Sequence, residues 1–189
     1  LRSFFSFTAI PVPNWIGHII LAAALGVLPA FLAEKALLLL YVVGLPYAFR
    51  RLIRAISPQN VEYSFFILPF CYSYVFTLGF YNFSLALVLM LFILAFWLKV
   101  EAAPRTVRTR AVLVVLFTLL YFAHIFIFGL TLCIIGLHTV VNAAPRRPWD
   151  RAWSGDLFRS MWPGLWRLGT AASMPLTLAL IYFLGMPAA

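Results

Sequence analysis

The chain has 189 residues, 65% of them apolar and 10% charged, where an ordinary soluble domain has about 45–50% and about 25%. A mean hydropathy of +1.01 leaves too little polar surface for a water-soluble globule, so the sequence describes an integral membrane protein. The net charge of +9 does not point to nucleic acid, because the basic residues sit at the ends of apolar segments and not in solvated stripes.

Taken in order, the chain opens on Leu1 instead of Met and closes at the apolar run Leu176–Ala189, so it reads as an incomplete chain. Arg2–Phe7 lacks the shape of a signal peptide. Pro11-Val12-Pro13-Asn14-Trp15-Ile16-Gly17-His18 reads as a structured loop entering a helix. The prolines hold the approach extended, Asn14 can cap, and Trp15 and His18 lie at the surface. Trp15–Leu32 then forms either a full span or a helix lying in the membrane interface. Glu34-Lys35 separates it from a second apolar run, 36–50, which ends in Arg50, Arg51 and Arg54.

Residues 61–78 and 83–98 are expected as two spans joined by a turn at Leu78–Asn82. Asn82 suits the cap of the second, and Tyr81 suits an anchor among the headgroups. Ala111–Val141 is harder: a single helix of roughly 31 residues would run about 46 Å, well over the roughly 30 Å hydrocarbon core. A short pair, 111–125 and 127–142, bent near His124–Gly129, is preferred to one steeply tilted helix. Residues 145–168 carry Trp149, Trp153, Trp162 and Trp166 among five arginines and read as a cytoplasmic segment lying along the membrane. Within it Trp149, Trp153, Leu157 and Met161 share one helical face, although a loop anchored by tryptophans fits as well. A last span covers 171–187. The spans are helices, because Leu85–Leu98 is apolar on every side while a transmembrane β-strand would alternate. The expected fold is therefore all-α, a polytopic transmembrane helix bundle with a juxtamembrane helix.

Twelve of the fourteen Lys and Arg residues fall into three clusters, at 50–54, 99–110 and 146–167. Basic residues accumulate in cytoplasmic loops, so all three are expected on the inner side, with Tyr81, Asn82 and His124 toward the outer one.

The inventory for chemistry is short. Cys71 and Cys133 give neither a disulfide framework nor a metal-ligand spacing and read as small buried hydrophobes. Glu101, Asp150 and Asp156 lie among arginines and read as charge balance, and Glu62 suits a helix start. Glu34 is most simply ion-paired with Lys35, or meets a substrate group. His124 either bonds helix to helix or contacts a headgroup or phosphate at the mouth of an outer cavity; His138 reads as structural. The candidate binding residues are Asn14, His18, Glu34, Lys35, Tyr81, Asn82 and His124. No catalytic residue, cofactor or metal site is evident, and the partner is membrane lipid.

The order of these features resembles the GT-C superfamily of multi-span glycosyltransferases. There a proline-rich stretch with an aromatic leads into a helix at the outer surface, followed by a span ending in arginines, a helical pair, and a short pair bent around a polar residue. Here Pro11–His18, Trp15–Leu32, Ala36–Arg51, the Gly79–Phe83 turn and Tyr121–Phe126 stand in those places, over roughly residues 8–145. The resemblance implies transfer of a sugar from a polyprenyl-phosphate carrier to an acceptor at the outer face of a bacterial cell membrane. It makes Trp15–Leu32 a juxtamembrane helix and puts an acidic general base, or metal ligand, in a loop before the proline stretch. Residues 1–10 hold no Asp or Glu, so that carboxylate, and any divalent metal it held, would lie upstream. The lysine found in some members at the bent pair is His124 here. Two other classes fit the composition: a transporter or flippase, which predicts inverted repeats and broken helices, and a non-catalytic membrane scaffold.

Overall fold

The computed structural model describes residues 11–101, 106–143 and 155–185, which are all-α with no strand. Helix α1 (Ile16–Leu25) has 10 residues and a length of about 15 Å, half of what a span needs. Gly26–Pro29 then breaks the chain, and α2 (Ala30–Ile56) runs 27 residues without interruption. The sequence suggests a boundary at Glu34-Lys35; the structure puts it at Pro29, which precedes the first helical residue in an extended conformation. Ala, Leu, Glu and Lys are all good helix formers, so nothing at 34–35 stops the helix, whereas the residues around Pro29 do.

Only a narrow stripe of α2 is buried, Ala33, Leu37, Tyr41, Leu45 and Ala48. Leu39, Leu40, Val43 and Tyr47 are exposed, as expected of a helix whose other faces meet lipid. The stripe packs on α4 (Tyr81–Glu101), and the two helices run in the same direction. Gly44 faces Val88, Tyr47 faces Phe92, and Arg51 and Arg54 share a cavity wall with Lys99. A Cβ on Gly44 would lie 3.1 Å from Val88 Cγ1. Gly44→Leu should therefore force α2 away from α4 and cost about 1–3 kcal/mol, the usual range for overpacking, read as a lower thermal midpoint in detergent.

Two parallel helices in succession need a return, supplied by a 3-10 helix (Pro58–Tyr72) kinked at Asn60, and by α3 (Tyr74–Thr77). It climbs back along α2, with Tyr41 Oη donating to the Phe70 carbonyl at 3.4 Å and the Cys71 thiol 3.8 Å from the Val42 carbonyl. The expected span at 61–78 is thus not one α-helix: it is 3-10 as far as Tyr72 and α-helical only over Tyr74–Thr77. At roughly 2.0 Å per residue, the run 61–72 beyond the kink at Asn60 rises about 24 Å. Ser64 and Cys71 face inward, and Phe65, Phe66, Phe70 and Tyr72 face out.

The core lies among α4, α5 (Val107–Ala123), α6 (Ile125–Ala143) and α7 (Gly155–Leu184). Helix α5 contributes Leu113, Phe117, Leu120 and Tyr121, none more than 1% exposed. The bent pair breaks at His124 alone, whose φ of −165° and ψ of 117° are extended. Its N–H still reaches the Leu120 carbonyl, and its own carbonyl accepts from Phe128, so one residue ends α5 and begins α6. Helix α7 is continuous through Pro163 and Pro175; the expected division into an interfacial segment and a span at 171 is absent from 155 onward, and residues 145–154 lie outside the described residues. Cys71 is buried as expected, but Cys133 is exposed, on the outward face of α6.

Four helices, α2, α4, α6 and the Phe158–Leu184 part of α7, are long and apolar enough to cross a membrane. The protein is a multi-pass membrane protein.

Candidate functional site

The helix directions sort the polar residues to opposite ends. Arg51, Arg54 and Lys99 share one cavity, Arg110 and Arg167 line another, and the Arg167 guanidinium donates to the Val100 carbonyl at 3.0 Å. At this arginine end Glu101 also lies 3.5 Å from His138 Nδ1, and His138 approaches Asn142 Nδ2 through Nε2 at 3.0 Å. The ends of α4 and α6 are tied by these side chains, in keeping with a structural His138.

At the opposite end, the loop before α1 is held against the start of α4 and the end of α5. The Gly17 N–H donates to Asn82 Oδ1 at 2.6 Å, and Asn82 Nδ2 donates to the Asn14 carbonyl at 2.7 Å. Because a backbone N–H can only donate and a carbonyl only accept, these two bonds fix which way the amide faces. Asn82 Nδ2 also lies 3.4 Å from His18 Nδ1; with Nδ1 as the acceptor, the ring proton is on Nε2. The Trp15 N–H donates to the Phe122 carbonyl at 2.7 Å, and Tyr121 Oη donates to the Pro11 carbonyl at 2.8 Å. Phe122 is in the last turn of α5, where carbonyls lack helical partners, so the loop satisfies what the break at His124 exposes.

Two backbone features permit this seat. Asn14 adopts a φ of +70°, a left-handed conformation that Asn tolerates better than most residues. Gly17 approaches so closely that a Cβ there would lie 2.5 Å from Asn82 Oδ1. Asn82 therefore does not cap α4 through its own side chain, as its position suggests, but clasps the entry loop.

Of the residues singled out in the sequence, Asn14, His18 and Asn82 are in direct contact. His124 stands one residue away, its ring edge-on to Phe83 at 5.2 Å. Its Nδ1 is buried with no partner among the described residues, so the helix-to-helix hydrogen bond considered for it is not formed there. Tyr81 turns away and packs edge-on to Phe76 at 6.1 Å, in the cluster that α2 forms with the 3-10 helix. Glu34 and Lys35 sit near the start of α2, both exposed. The expected ion pair between them is absent, since neighbours in a helix do not face each other; Lys35 Nζ lies instead 3.9 Å from the Phe31 ring centroid. Gly17 and Tyr121 are not among the candidate residues of the sequence, although glycine is a residue that permits a close backbone approach. Among the described residues no three of His, Cys, Asp and Glu gather as a metal site.

No family model matches the chain, and no curated protein or solved structure is detectably similar to it.

Proposed function

We propose that the chain is part of a membrane glycosyltransferase that moves a sugar from a polyprenyl-phosphate carrier to an acceptor at the outer face of the cell membrane. The observation that carries this reading is the gathering of Asn14, His18, Asn82 and His124 at the end of the bundle opposite to Arg51, Arg54, Lys99 and Arg167. With the positive end inside, those residues face the outer side. The amide of Asn82 and the hydroxyl of Tyr121 are occupied in holding the entry loop, which leaves Nε2 of the exposed His18 and the buried Nδ1 of His124, which has no partner among the described residues, to meet a substrate. Their role is to position the carrier phosphate or sugar. Bond-breaking would need a carboxylate, and Glu34, at the start of α2, is the described one nearest this end.

The competing reading, a non-catalytic scaffold, is favoured by the same bonds of Asn82, which are all internal. The two separate on His124. Under the transferase reading, His124→Ala in the full-length protein, reconstituted with a polyprenyl-phosphate sugar, lowers transfer about ten- to hundredfold while a thermal midpoint shows that the protein stays folded, as expected for one lost hydrogen bond to a charged group of about 1.5–3 kcal/mol. Undiminished transfer overturns the assignment of His124; absence of transfer by the unaltered protein overturns the reading as a whole.

A further inference from the structure

Helix α2 leans on α4, and residues of α2, α4 and α5 line a groove of about 820 Å³, in the range of about 300–1,000 Å³ typical of ligand clefts. One end of it carries Arg51, Arg54 and Lys99; the rest is apolar, with Leu89, Phe92 and Phe96 along the wall. Among the described residues none of the three cations has a carboxylate within ion-pairing distance, the single ion pair being that of Glu101 with His138. From Leu89 to Lys99 a helix rises about 15 Å, the depth of one leaflet of a roughly 30 Å hydrocarbon core. Cations at the headgroup level above an apolar trough one leaflet deep match an amphiphile with an anionic head and a hydrocarbon tail.

The geometry points to a binding site for an anionic phospholipid in this groove. The phosphate meets Arg51, Arg54 and Lys99, and one acyl chain runs along Phe92 and Phe96 between α2 and α5. The lipid then fills the space that α2 leaves open and completes its packing on the bundle. This site lies at the opposite end from the entry-loop residues and is independent of the proposed sugar transfer.

The test is native mass spectrometry of the full chain in detergent, titrated with phosphatidylglycerol and with phosphatidylcholine. The expected result is retention of the anionic lipid in preference to the zwitterionic one. Arg54→Gln with Lys99→Gln should weaken it about 25-fold, at about fivefold for each cation, which is ~1 kcal/mol for a basic residue near an anionic lipid converted at 1.4 kcal/mol per tenfold. Arg50→Gln with Arg108→Gln removes the same charge outside the groove and should change retention less than about threefold. Ala95→Trp, which fills the groove floor and keeps every cation, should also abolish retention, with the thermal midpoint reporting that the fold survives. Equal retention of both lipids, equal loss in the two double variants, or retention by a folded Ala95→Trp protein overturns the site.

Discussion

Replacing Asn82 with leucine is expected to lower the stability of the protein by about 2–4 kcal/mol, the cost of two backbone bonds lost with one buried donor stranded. The donor is the Gly17 N–H, since Gly17 is buried, whereas the Asn14 carbonyl belongs to an exposed residue and can turn to water. Asn82→Asp keeps an acceptor for Gly17 but loses the bond to Asn14, and should cost less than the leucine variant. Gly17→Ala strikes the same contact from the other side, where the added carbon meets Asn82 Oδ1. Thermal midpoints of the two single variants and the double variant should be markedly non-additive, since both act on one contact. Amide exchange should rise over residues 11–25 first, because the clasp holds the entry loop and α1 to the bundle.

Phe117→Ala is the second large effect, at about 3–5 kcal/mol. Phe117 is fully buried among the four core helices and edge-on to Phe128 at 6.2 Å. Lipid tails are as apolar as the core, so this cost comes from lost contacts and the cavity left behind rather than from transfer out of water. The informative contrast is Val115→Ala on the same helix. Val115 is 56% exposed, and its truncation should change the midpoint by no more than about 0.5 kcal/mol. Chemical or thermal unfolding in one detergent compares the pair directly.

The helical membrane character was legible because composition alone forces it, and the arginine clusters were legible because charge cannot sit at bilayer depth without cost. What the sequence could not supply was the local geometry of its breaks. The run 61–78 carries no charge beyond Glu62, and hydropathy does not distinguish a rise of roughly 2.0 Å from 1.5 Å per residue. Likewise Glu34-Lys35 looks like a boundary by charge, but charge does not end a helix and proline does. At the polar end, Asn82 stood out as a polar residue opening an apolar helix, yet its partners are backbone groups of residues 14 and 17, a pairing that spacing cannot reveal. The separation of Tyr81 from its neighbour has a similar cause: adjacent residues on a helix diverge by about 100°, so one reaches the entry loop and the other the 3-10 helix.

The most direct measurement is labelling of single cysteines with a membrane-impermeant maleimide in intact cells and in lysed ones, in a chain whose Cys71 and Cys133 are replaced by serine. With Arg54→Cys, Arg108→Cys and Arg159→Cys at the ends of α2, α5 and α7, and Asn14→Cys in the entry loop, the three arginine positions should label only after lysis. Asn14→Cys should label in intact cells. Labelling of any two arginine positions from opposite sides, or of residue 14 from the same side as residue 54, would contradict a bundle with one positive end and one polar end.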